Sequence, residues 1–171
     1  MASSGLAAVA ATSVFIFTML NAGITDLTSY KISNNLMLGF LIAYVAFAPW
    51  SGLPVREIGW SAVVAAGVLL IAFVCFSLNW IGGGDAKLVA VTALWLGADH
   101  TPAYLLYTAL FGGALTLAML KFRQLPLPAS MHNRAWITRL HADGSGVPYG
   151  VAMAMAGLAV FPQTRWMSGA P

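Results

Sequence analysis

The chain has 171 residues, 60% of them hydrophobic and only 8% charged, with a mean hydropathy of +0.82. A soluble domain carries about 25% charged residues, so this chain lacks the polar groups to cover a water-facing surface. That excludes a soluble globular enzyme, a disordered protein and a nucleic-acid binder, despite a pI near 9.3. The net charge of +3 rests on so few groups that it speaks to membrane orientation. The single cysteine, Cys75, excludes a disulfide framework and a cysteine zinc cluster. At about 20 apolar residues per crossing, the length admits about five to seven transmembrane helices.

The first apolar run, 6–24, is long enough to cross the hydrocarbon core. No Lys or Arg precedes it, so it reads as a mature span and not as a secretory leader. The second run, 36–50, ends at Pro49, and the third, 58–78, holds no formal charge. The fourth, 88–96, spans only if 84–98 belong to it or the membrane thins locally. The fifth covers 103–120 and the sixth 147–161. The sequence thus predicts an all-α, polytopic membrane helix bundle of about six crossings, one domain over 1–171.

Alternating the loops puts Lys31, Lys87, Lys121, Arg123, Arg134 and Arg139 on one side, and Arg56 and Arg165 on the other. The six-to-two bias makes the first side cytoplasmic and both termini external. In the one long loop, 121–146, Pro126 and Pro128 stop the fifth helix and Ser130 is placed to cap a short new one. Trp136, Ile137 and Leu140 share a face there, flanked by Arg134, Arg139, His132 and His141. That pattern predicts a helix lying on the lipid of the anionic inner leaflet.

Five acidic residues exist: Asp26, Glu57, Asp85, Asp99 and Asp143. Glu57 and Asp99 read as solvated charges in external loops, and Asp143, in Ala142-Asp143-Gly144-Ser145-Gly146, as a turn residue. Asp26 and Asp85 differ. Span parity puts both at the cytoplasmic face, Asp26 after the end of the first span and Asp85 at the start of the fourth. Two carboxylates sharing a site can activate a water and protonate a leaving group, with no metal or cofactor. Position alone equally allows two independent boundary carboxylates. Gly82-Gly83-Gly84 tips the balance: the run forfeits helix propensity and leaves room for an extended backbone beside Asp85.

At these residues the chain resembles the prepilin leader peptidases, polytopic aspartic proteases with a Gly-x-Gly-Asp signature. Gly82-Gly83-Gly84-Asp85 matches that signature, and Ala86-Lys87-Leu88 continues in the family's style. Asp26-Leu27-Thr28-Ser29-Tyr30-Lys31-Ile32-Ser33-Asn34 resembles the stretch from the family's other catalytic Asp to an Ile-Pro-Asn, with Ser33 where proline is common. Val147-Pro148-Tyr149-Gly150-Val151-Ala152 resembles its last-helix segment. The resemblance implies a bacterial inner-membrane protease whose substrate is a prepilin or pilin-like protein with a short basic leader, cut at the cytoplasmic face. Pilus assembly machinery is the implied neighbour, and no cofactor or metal is called for. Larger members also methylate the new N-terminus and carry an extra cytoplasmic domain between the first spans. Here 24–36 is a bare connection, which puts methyl transfer in doubt. The compact form most resembles the peptidases of tight-adherence (Flp) pilus systems.

Asp26 and Asp85 are the expected catalytic pair, with Gly82, Gly84, Lys87 and Asn34 in support. Asp26 follows the C-terminal end of one helix and Asp85 precedes the N-terminal end of another, which makes Asp85 the charged base and Asp26 the protonated acid. Lys87 keeps Asp85 ionised or anchors the span; Asn34 caps the second span or hydrogen-bonds near the site. Gly146, Gly150 and Ala154 recur every four residues as a packing face. Cys75 reads as an inert buried thiol, and Trp50, Trp60, Trp80 and Trp95 as interfacial aromatics. Two other functions fit the same carboxylates: a presenilin-type intramembrane aspartyl protease, whose aspartates lie mid-helix, and a non-enzymatic proton-relay or transport subunit. The relay predicts further ionisable residues along the helices, and the third and fifth spans offer none.

Overall fold

The computed structural model describes residues 2–168. Regular structure among them is entirely helical: α1 (Ala2–Ser29), α2 (Asn34–Phe47), α3 (Val55–Ser77), α4 (Gly83–Leu96), α5 (Thr101–Gln124), α6 (Ala135–His141), α7 (Tyr149–Val160) and α8 (Arg165–Ser168). The chain forms an all-α helical bundle of membrane type. Three stretches, Ala7–Ser29, Val55–Ser77 and Thr101–Gln124, are long and apolar enough to cross a membrane. The apolar stretches Asn34–Trp50 and Tyr149–Gln163 are shorter. At 14 residues, α4 is shorter still, about 21 Å of helix at 1.5 Å per residue.

That short helix sits at the centre. It packs mainly on α3 and touches α2 and α7, while α1 lies against α2 and α7, and α5 against α7. Leu88, Thr92, Ala93, Trp95 and Leu96 of α4 are all buried. Large apolar side chains instead cover the outer faces of α1, α3 and α5, among them Phe17, Leu70, Ile71 and Leu117. In water this distribution would be unstable; in lipid it is the expected one, since hydrocarbon solvates the outer face and small residues pack the inner one.

An aromatic cluster holds one end of the bundle. Phe15 stacks on Phe161 at 3.9 Å between centroids, Phe40 stacks on Trp95 at 4.9 Å, and Trp166 lies 5.0 Å from Trp95. Trp95 is therefore not an interfacial aromatic. It is 1% exposed, and its indole N–H donates to the Phe40 carbonyl at 3.1 Å. Trp50, Trp60 and Trp80 are exposed, as expected of such aromatics. Cys75 is half-buried, not fully buried as the sequence suggests.

Two helix ends shape the other end of the bundle. The expected end of the first span falls short: α1 continues through Asp26 to Ser29. The hydroxyls of Thr25, Thr28 and Ser29 turn back on the carbonyls of Asn21, Ile24 and Thr25 at 2.7, 2.7 and 2.6 Å. Polar residues are thereby kept inside the helix. Tyr30, at φ +54°, stops it, and its N–H bonds to the Asp26 carbonyl at 2.8 Å. α3 ends in a Schellman motif. Asn79 stands at φ +58°, Trp80 N–H reaches the Cys75 carbonyl at 2.9 Å, and Asn79 N–H the Phe76 carbonyl at 2.9 Å. The chain then turns directly into the glycine run.

Two caps differ from expectation. Ser33, not Asn34, caps α2, its side chain accepting from Asn35 N–H at 3.2 Å. The short helix after α5 begins at Ala135, with Arg134 at its N-cap, and Ser130 lies in a 3₁₀ turn instead. Leu140 of that helix is buried. The segment is tied down by Arg123, whose guanidinium donates to the Leu140 carbonyl (3.0 Å), the Ser145 hydroxyl (2.7 Å) and the Gly146 carbonyl (2.8 Å).

Candidate active site

Asp26 lies in the last turn of α1 with only 5% of its surface exposed. Burying a carboxylate this deeply requires hydrogen-bond donors, and a neighbouring helix supplies one. The first N–H groups of a helix have no partner within it. Gly150, in the first turn of α7, donates its orphan N–H to Asp26 Oδ2 at 2.7 Å. The contact requires glycine: a Cβ there would stand 2.8 Å from that oxygen and 2.9 Å from the Asp26 Cβ. The stripe of Gly146, Gly150 and Ala154 does serve packing, since a Cβ on Gly23 of α1 would stand 3.3 Å from the Ala154 Cβ. Gly150 is also the donor to the carboxylate, a role the sequence reading missed. The signal was the Pro148-Tyr149-Gly150 start of a helix after a turn.

Asp85 stands at the third position of α4, and its Oδ2 accepts the N–H of the N-cap residue, Gly82, at 3.3 Å. Gly83 and Gly84 are in the first turn of the helix. What they supply is closeness. A Cβ on Gly84 would meet the Ile32 Cβ at 3.2 Å, one on Gly83 the Phe76 ring at 3.3 Å, and one on Gly82 the Asp85 Oδ2 at 3.1 Å. The glycine run lets α4 start hard against both the 30–33 connection and α3.

The two aspartates line one cleft of about 540 Å³, walled by the end of α1, the 30–33 connection and Gly82–Asp85. Asp26 lies near enough to act electrostatically on Asp85. The expectation that helix ends tell them apart does not hold. Asp26 is within α1, not beyond it, and both carboxylates accept a backbone N–H from the amino end of a helix.

The supporting residues take other parts. Lys87 Nζ donates to Asn34 Oδ1 at 2.7 Å, tying the start of α2 to α4, so Lys87 is bonded away from Asp85. Tyr30 lines the cleft and donates its hydroxyl to the Gly146 carbonyl at 3.1 Å. At the other end of the bundle, Glu57 pairs with Arg165 at 2.9 Å. Among the described residues no group of three or more His, Cys, Asp or Glu is placed to hold a metal ion.

A model of the type IV leader peptidase family matches residues 13–117, more than half of the chain. The chain belongs to that family. No curated protein and no solved structure matches it. Membership in the type IV leader peptidase family makes the chain a peptidase, and its apolar helices make it a membrane protein. The matched segment contains both aspartates and the glycine run, and ends before α7 and Gly150.

Proposed function

We propose that the chain is an aspartic endopeptidase that removes the short basic leader from prepilins or pilin-like proteins. In this reading Asp26 and Asp85 work as one unit. One carboxylate takes a proton from a water whose oxygen adds to the scissile carbonyl carbon. The other gives a proton to the departing amine, and the peptide bond breaks. The observation that carries the reading is the shared cleft: two carboxylates distant in sequence, brought together and each held by a backbone N–H. Fixed donors of this kind hold a catalytic group in place before substrate arrives. A presenilin-type enzyme, cutting within the substrate's span, fits less well, because Asp26 lies in a last turn and Asp85 in a first.

The rest of the reading follows from charge and chain length. The basic residues around the cleft support a cytoplasmic-face position in the bacterial inner membrane, and the reading takes six crossings, both termini outside and one peptidase domain over 1–171. The connection from α1 to α2 is only residues 30–33. It has no room for a methyl-donor site, which supports the compact Flp type and a peptidase without methyl transfer. Purified protein in detergent, given a prepilin, tests the proposal. Cleavage at the leader boundary supports it; cleavage within the apolar helix supports the presenilin type; no cleavage of any prepilin by folded protein contradicts both.

A further inference from the structure

The end of α3 far from the cleft borders a second cavity, of about 460 Å³. That is within the range of roughly 300–1,000 Å³ usual for small-molecule sites. With 23 residues in α3, about 34 Å of helix separates this cavity from the start of α4, where Gly83 meets Phe76. Tyr44 and Trp95, both buried, form part of its inner wall. Charged side chains from three elements stand around it: Arg56 and Glu57 from the first turn of α3, Asp99 from the turn between α4 and α5, and Arg165 from α8.

Two of these charges are spoken for, since Arg165 pairs with Glu57 at 2.9 Å. The side chains of Arg56 and Asp99 pair neither with each other nor with any other described residue, although both line the same cavity. A cation in the first turn of a helix gains nothing from the helix dipole, so Arg56 does not serve α3 itself. The cavity thus offers one open guanidinium and one open carboxylate, from different elements, and its formal charges balance. A plain anion or a plain cation satisfies one of the two and is repelled by the other. A group carrying both a phosphate and a primary ammonium satisfies both: the guanidinium donates to the phosphate, and the ammonium donates to the carboxylate.

The surface below Arg56 shows where such a group comes from. Trp60, Val63, Gly67, Leu70 and Val74 follow it at intervals of three or four residues, on one face of α3. Trp60, which also lines the cavity, is 54% exposed, Val63 60%, Leu70 66% and Val74 50%, and Gly67 has open space around it. In a membrane that face meets acyl chains, and Trp60 stands where aromatic side chains meet headgroups. We propose that the cavity and this face together bind one phospholipid with a zwitterionic, primary-amine headgroup, in the leaflet opposite the cleft. Its phosphate bonds to Arg56, its ammonium to Asp99, and one acyl chain runs past Trp60 and over Gly67.

Native mass spectrometry of the full chain in detergent tests this. The added probes are phosphatidylethanolamine, phosphatidylcholine with the same chains, and chain-free glycerophosphoethanolamine. Phosphatidylcholine keeps the phosphate, but its methylated nitrogen has no N–H for Asp99. One phosphatidylethanolamine should therefore bind about tenfold more tightly than phosphatidylcholine, the effect of one charge-assisted hydrogen bond. Asp99→Asn should bring phosphatidylethanolamine down to the phosphatidylcholine level and leave phosphatidylcholine where it was. Arg56→Gln should weaken both lipids about tenfold. Both side chains are exposed and unpaired, so these variants keep the fold. Asp143→Asn, an exposed charge remote from the cavity, should change neither lipid. Equal binding of the two lipids by the parent protein, or unchanged binding in Asp99→Asn or Arg56→Gln, would overturn the site. Glycerophosphoethanolamine binding as tightly as the lipid would overturn it too, by making the ligand a soluble one.

Discussion

Gly150 and Asp26 are joined by one of the shortest polar contacts in the bundle, a backbone N–H to Oδ2 bond of 2.7 Å that no residue with a Cβ can make undisturbed. It places the amino end of α7 on a carboxylate of α1, so the docking of two helices and the setting of a candidate catalytic group are one event. The geometry gives Gly150 more weight than its place in a small-residue stripe implies.

Gly150→Ala is therefore expected to lower cleavage far more than it lowers stability. Overpacking at such a contact costs about 1–3 kcal/mol. Loss of a hydrogen bond to a charged group is worth about 1.5–3 kcal/mol, or roughly tenfold to a hundredfold in rate if it is felt in the transition state. Gly23→Ala, in the same α1–α7 interface against Ala154, should reduce thermal stability and leave cleavage within a few-fold. Gly113→Ala, with open space around it, should change neither. Equal losses of activity in the Gly23 and Gly150 variants at equal abundance would reduce Gly150 to packing.

The pair itself was legible because ionisable groups are so scarce here. With five acidic residues in the chain, charge and span parity leave few candidates, and the glycine run singles out Asp85. Gly150 was not legible, since its contribution is a main-chain N–H that meets Asp26 only once α1 and α7 pack. The end of α1 was misjudged for a local reason: Thr25, Thr28 and Ser29 look like a polar exit, but each hydroxyl bonds back into the helix. Ser33 and Asn34 are adjacent residues equally able to cap, and the choice between them depends on where the chain enters α2.

Lys87 and Asn34 give a second test. If their 2.7 Å bond is a structural tie, Lys87→Met and Asn34→Ala should each lower the melting temperature by a similar small amount. The double variant should be no worse than either, since both remove the same interaction. The pH–rate profile should be unchanged in all three. A displaced profile in Lys87→Met alone would mean that Lys87 acts on Asp85 as a charge.

Ser33 stands where the family commonly has proline, and its backbone suits that residue, with φ −66° and ψ 134°. Ser33→Pro removes the cap on Asn35 N–H, worth about 1 kcal/mol, and stiffens the unfolded chain by about 0.4–1 kcal/mol. The two nearly offset. Thermal unfolding should shift little, and prepilin cleavage should be retained; a large loss of either would show that the 30–33 connection needs the Ser33 N–H or hydroxyl for more than capping.

Methyl transfer is expected to be absent. With only residues 30–33 between α1 and α2, a pilin processed by this protein alone, with a methyl donor supplied, should carry a free amine at its new N-terminus. Mass spectrometry of that terminus decides the point, and a gain of one methyl group would contradict it.

The central claim, that Asp26 and Asp85 act as one catalytic unit, is tested most directly by Asp26→Asn, Asp85→Asn and the double variant. Each is co-expressed with a prepilin and scored for leader removal against its level in the membrane. Asparagine keeps the shape and can still accept Gly150 N–H or Gly82 N–H through its carbonyl oxygen, but it cannot exchange a proton. Each single variant should accumulate normally and leave the leader uncut, and the double variant should be no worse, because effects within a catalytic unit are not additive. Substantial leader removal by either single variant at normal abundance would take that aspartate out of the mechanism.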